Sequence, residues 1–99
     1  MFVPFYERLK RGTDRELLRM VDSFLEALKR DLTIGVKIPR SLWPKLYVRK
    51  YGITNLWKSD VGLRYRTVYT IVAEGTKKVG IVIEFMDHEA YNERFGYSG

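Results

Sequence analysis

The sequence predicts an α+β domain: an N-terminal helical hairpin packed on a small, mainly antiparallel β-sheet, closed by a short C-terminal helix. Three observations predict it. Apolar residues recur at helical spacing as far as Leu32, residues alternate with period two between Leu63 and Met86, and a turn signal splits that alternating stretch into two runs. Helices first and antiparallel strands afterwards place the helices on a sheet face. Ninety-nine residues make one domain, 1–99, and one this short leaves a thin stability margin.

The first arm of the hairpin is read from Pro4, which suits a first helical turn, from Phe5 and Leu9 on one face, and from Gly12 as a stop. Thr13 to Glu16 then form a Thr-x-x-Glu capping box, and Leu17, Leu18, Val21, Phe24, Leu25, Leu28 and Leu32 follow on one helical face. The spacing predicts a helix over about 14–31. A weaker helix is predicted over Leu42 to Tyr51, with Ser41 as its cap, Pro44 inside its first turn and Gly52 as its stop. From Leu63 to Val72, Tyr65, Thr67, Tyr69 and Ile71 alternate with Arg64, Arg66, Val68 and Thr70, which predicts a strand. Glu74 to Lys77 make a turn, and Val79 to Met86 a second strand pairing with the first as a hairpin. Asp87 to Gly96 read as the closing helix.

Composition removes several function classes. The chain has no cysteine and one histidine, so thiolate sites, cysteine nucleophiles and histidine-rich metal centres are excluded and a reducing compartment is expected. Its acids show no metal-ligand spacing, its glycines form no phosphate loop, and no Ser-His-Asp motif is present, so no metal or cofactor is expected. No stretch approaches the roughly 18 to 20 apolar residues of a spanning helix, and the opening MFVPFYERLK has no long apolar core, so the expected location is cytoplasmic.

The formal charge of +6 is concentrated: residues 32–66 hold eight bases and, as their only acid, Asp60. Such a block attracts polyanions, and counterion release from phosphates supplies most sequence-independent affinity for nucleic acid. Lys45, Arg49, Lys50 and Arg64 within it are candidate RNA contacts. Trp43, Tyr47, Tyr51 and Trp57 lie among these bases and are read first as core. If one sheet face is open, alternation carries Arg64 and Arg66 to it, with Lys58, His88 and Tyr91 converging on its rim. Cleaving RNA requires a base for the 2′-hydroxyl, cations for the phosphorane and an acid for the leaving 5′-oxygen, roles that Lys, Arg, His and Tyr can fill. Each has a plainer alternative: solvent-facing strand arginines, His88 capping the helix or pairing with Asp87, and Tyr91 packing.

The segments LWPKLYVRKYG (42–52), NLWKSD (55–60), YRTVYTI (65–71) and IEFMDHEAYNERFGY (83–97), in this order, resemble the RelE/ParE toxin superfamily, and archaeal RelE-like proteins most. The resemblance covers nearly the whole chain, and DHEAYNERFGY is its most specific element. It implies the toxin of a type II toxin–antitoxin system: a messenger-RNA endonuclease that cuts in the ribosomal A site by 2′-hydroxyl attack. The implied partners are the ribosome, the message and a cognate antitoxin that wraps and inactivates the toxin and through which it can oligomerise. By position, the resemblance gives Arg66 the phosphate-stabilising role, Tyr91 the stacking or orienting of substrate, His88 that of acid, base or phosphate contact, and Lys58 that of a lysine on the preceding strand.

The chain departs from the family pattern at two places. Asp60 stands where a family lysine helps, and is either a base itself or the salt-bridge partner of a neighbouring arginine. Only Met1 to Val3 precede Pro4, so the family's first strand is expected to be shortened or absent, leaving three solid strands. Two rival readings follow: a ParE-like inhibitor of DNA gyrase, acting by protein contact, and a degenerate member that binds RNA or an antitoxin without cutting.

Overall fold

A computed structural model describes residues 15–96, and the leucine stripe folds as its spacing requires. Helix α1 (Arg15–Arg30) buries Leu17, Val21, Phe24 and Leu28 along one side, with Glu16 in its first turn and Lys29 and Arg30 in its last, the charge order that the helix dipole favours. Asp31 ends it: its carboxylate accepts from the Thr33 backbone N–H at 2.9 Å and from the Thr33 hydroxyl at 2.6 Å. These two bonds hold its carboxyl below the usual carboxylate range. The first arm of the predicted helical hairpin and the segment ahead of it fall outside the described residues.

Four strands follow in one antiparallel sheet, ordered β1-β2-β3-β4: β1 (Val36–Lys37), β2 (Trp57–Val61), β3 (Tyr65–Glu74) and β4 (Lys77–Asp87). With α2 (Lys45–Tyr51) and α3 (His88–Phe95) the α+β architecture and the closing helix are as the sequence predicts. The hairpin β3–β4 is longer than predicted, with only Gly75 and Thr76 left in its turn. Two-residue β1 lies in a segment for which no element was predicted.

Three expectations need correction. The helix predicted over 42–51 is a 3₁₀ turn, Arg40–Leu42, followed by α2. Trp43 precedes a proline and is held extended at φ −69° and ψ 132°, which no continuous helix tolerates. Pro44, not Ser41, occupies the capping position, and Gly52 stops α2 in the left-handed conformation at φ 59°. The strand predicted from Leu63 starts at Tyr65, because Gly62 to Arg64 form a turn. Finally, the second sheet face is covered at its centre. One face carries Tyr69 and Phe85 against α1. The other buries Val68, Ile83 and Met86 against Ile38, Tyr47, Ile53, Leu56 and Tyr91, from α2, α3 and the intervening loops. Tyr47 is thus a core residue, and Trp57, Trp43 and Tyr51 are half-buried against the two cores.

Candidate functional site

What the second face leaves uncovered is a corner built by strand register. In the β2–β3 ladder Asp60 is the direct partner of Arg66 and Lys58 of Val68. The period of two then puts Lys58, Asp60, Arg66 and Val68 on one face. Arg66 is opposite Met86 on β4, and β4 runs into α3. The Asp87 carboxylate caps α3 by accepting from Ala90 N–H at 2.8 Å, so His88 opens the helix and Tyr91 follows one turn later, above the same corner. Three elements, β2, β3 and α3, therefore deliver five side chains to one place.

Their geometry is defined by Arg66. Its Nε donates to Asp60 Oδ1 at 2.8 Å, and its guanidinium lies 4.6 Å from the centre of the Tyr91 ring. Lys58 Nζ is 5.8 Å from the same ring, and His88 Nε2 is 3.9 Å from Asp60 Oδ1. Arg66 is 23% exposed at its side chain, His88 47% and Asp60 61%, whereas Tyr91 is wholly enclosed. Burial alone would ease the proton off Arg66, but the hydrogen bond and charge of Asp60, with a contribution from Tyr91, outweigh it and raise its pKa. Arg66 is a permanent cation on an aromatic floor, open toward solvent along part of its edge.

The structure brings Lys58, Arg66, His88 and Tyr91 together. Tyr91 does so from beneath: with no exposed surface it cannot stack on a base in this conformation, and it stacks instead on Phe95 at 4.3 Å. His88 neither caps α3 nor pairs with Asp87, whose carboxylate serves the helix. Of the two roles open to Asp60, the contact observed is the salt bridge to a neighbouring arginine. Arg64 does not share a strand face with Arg66, since it sits exposed in the Gly62–Arg64 turn. Lys45, Arg49 and Lys50 are exposed on α2, and none makes an ion pair or hydrogen bond to the Arg66 cluster among the described residues. Lys45 and Arg49 instead border a cavity of about 550 Å³ with Arg40, Trp43, Val48 and Ile53.

One contributor had no signal in the sequence. Glu84 on β4 takes both Arg94 Nε at 3.1 Å and Arg94 Nη2 at 3.2 Å, tying α3 to the sheet beside the buried Tyr47 hydroxyl. A register shift follows between Val68 and Tyr69: Val68 pairs with Glu84 and Tyr69 with Val82, leaving Ile83 as the extra residue, on the same face as Glu84.

Comparison of the chain with protein-family models, with curated proteins and with solved structures gave no match.

Proposed function

We propose that this protein is a ribosome-dependent messenger-RNA endonuclease of RelE type, the toxin of a toxin–antitoxin pair, working in the cytoplasm and held in check by a cognate antitoxin. The observation that carries the reading is the corner itself: two cations, Lys58 and Arg66, a histidine and a carboxylate around one aromatic floor, at the end of the sheet to which the basic block contributes. No other cluster among the described residues joins fixed cations to a proton carrier.

In this reading RNA lies across the corner with its scissile phosphate on Arg66 and Lys58, whose charges stabilise the pentavalent phosphorane. The 2′-oxygen gives up its proton and attacks phosphorus, and the bond from phosphorus to the 5′-oxygen breaks as that oxygen takes a proton. The products are a 2′,3′-cyclic phosphate and a 5′-hydroxyl. His88, half-exposed at the rim, is the proton carrier, since histidine is the side chain suited to exchanging protons near neutral pH. Tyr91 acts through Arg66 rather than on the RNA.

A second reading is favoured by one contact. Asp60 offsets the charge of Arg66, the arrangement expected of a member that binds RNA or a partner without cutting it. Adding the purified protein to a translating extract and mapping new message 5′ ends by primer extension separates the two, with Arg66→Ala and His88→Gln alongside and naked RNA as control. Cuts confined to translated message and lost in both variants are expected. Intact message with preserved ribosome binding would establish the second reading, and intact message with blocked DNA supercoiling a gyrase inhibitor.

A further inference from the structure

The carboxylate of Asp60 is the one anion of the corner, and its placement relative to the guanidinium decides whether it obstructs the site or builds it. A guanidinium has five N–H donors, and a phosphate is held best by two of them in parallel. A carboxylate that blocked the site would occupy a two-donor edge. Asp60 makes a single hydrogen bond, from Nε, the donor nearest the arginine stem, at 2.8 Å. The same guanidinium lies over the Tyr91 ring, 4.6 Å from its centre. One restraint at Nε and one at the ring hold the guanidinium, and Asp60 takes none of the donors of its terminal nitrogens. The same Oδ1 lies 3.9 Å from His88 Nε2, an ion pair only when the ring carries its proton, so one oxygen faces both the cation and the proton carrier.

The cross-strand register makes this arrangement local and economical. Asp60 and Arg66 are direct partners on adjacent strands and share a face, so the bond joins two opposed side chains of one ladder. At 61% exposure the carboxylate adds little to stability, as exposed pairs do, and its consequence lies in where it holds Arg66.

From this geometry we propose that Asp60 is a positioning residue: it holds the Nε side of Arg66, against Tyr91, so that the terminal nitrogens of the guanidinium face the RNA phosphate. The proposal rests on the RNA reading above for the identity of that phosphate.

The test compares Asp60→Asn with Asp60→Ala. Both remove the charge, but only the amide keeps an oxygen that can accept from Nε. In the free protein, the Arg66 Nε–H resonance is expected to be sharp and slow to exchange in the wild type and in Asp60→Asn, and broadened by solvent exchange in Asp60→Ala. Binding is then measured by fluorescence anisotropy with a single-stranded RNA made uncleavable by 2′-deoxy substitution. Asp60→Asn is expected to bind about fivefold more tightly than Asp60→Ala, the ratio that one ordinary hydrogen bond supports. Equal affinity of the two variants, both above the wild type, would overturn the proposal and make Asp60 a blocking group. So would a Nε–H resonance unaffected by Asp60→Ala. If no form binds RNA while the resonances behave as expected, the RNA reading fails and the positioning of Arg66 stands. Unfolding midpoints in urea, equal within error for the two variants, separate either result from loss of fold.

Discussion

Replacing Tyr91 distinguishes a floor from a reacting group, provided the replacement is chosen with its burial in mind. The side chain is fully enclosed, stacked on Phe95 at 4.3 Å and lying under Arg66 and Lys58. Truncation to alanine removes a buried ring from a core that cannot fully collapse, at a cost of about 3 to 5 kcal/mol. Against a total of roughly 5 to 15 kcal/mol for a small domain, Tyr91→Ala is expected to lower the melting temperature by 12 °C or more, on the order of 4 to 8 °C per kcal/mol. Activity lost in that variant reports the fold. Tyr91→Phe keeps the ring and is expected to cost about 1 kcal/mol. If the ring is a floor for Arg66, Tyr91→Phe retains cleavage within severalfold of wild type in the translating extract. A folded Tyr91→Phe protein with cleavage reduced a hundredfold or more would refute this reasoning and give the hydroxyl a chemical role.

Three further perturbations test the frame that holds the corner. Tyr69 is fully buried, donates to the Leu32 carbonyl at 2.7 Å and accepts from Gly35 N–H at 3.0 Å; Tyr69→Phe is expected to cost about 2 to 3 kcal/mol by leaving that N–H unpaired, read as a lower urea midpoint. A Cβ on Gly35 would sit 2.5 Å from the Lys58 carbonyl and 2.8 Å from Tyr69 Oη, so Gly35→Ala is expected to cost about 1 to 3 kcal/mol and to shift the β2 amide resonances around Lys58. Burial raises the hydroxyls of Tyr47 and Tyr69 from the ordinary value of 10.0, with Glu84 adding to it at Tyr47. The unfolded chain therefore ionises first: their contribution is whole below about pH 10 and is lost as pH rises toward the folded-state values. Tyr47→Phe is expected to flatten the fall in urea midpoint between pH 9 and 11.

The elements written in local periodicity were legible from the sequence. The α1 stripe records a single buried face and the β3–β4 alternation the two-residue period of a strand, with turn residues between the two strands. The two-sided sheet was less so, because Val68, Ile83 and Met86 sit at positions that a one-faced strand would give to polar residues, and because α2, at seven residues, carries too short a pattern to show what it covers. At the site, Lys58, Arg66 and His88 could be gathered by chemistry and spacing, and Asp60 named as the residue in conflict with them. Burial of Tyr91 could not be foreseen, since a tyrosine three positions after a histidine reads alike whether it points into a core or out of it. Lys45, Arg49 and Lys50 lie away from the corner, and charge alone carries no information on which surface a residue occupies.

The dependence of the corner on α3 follows from that helix's own weakness. At eight residues it is shorter than the 12 to 15 or so that isolated helices need in water, so tertiary contacts must hold it. Those contacts begin at the bulge. A regular β4 would send Ile83 and Glu84 to opposite faces, whereas the extra residue lets Ile83 enter the second core while Glu84 reaches Arg94 on α3. The edge-on packing of Tyr47 against Phe95, at 6.0 Å, completes the attachment from α2. With α3 fixed at both its Asp87 cap and its Arg94 end, Tyr91 and His88 are held between these anchors, one beneath Arg66 and one beside Asp60. A cationic corner on a small sheet thus depends on a short helix held at its Asp87 cap and its Arg94 end, with the inserted Ile83 filling the core beside the Glu84 anchor.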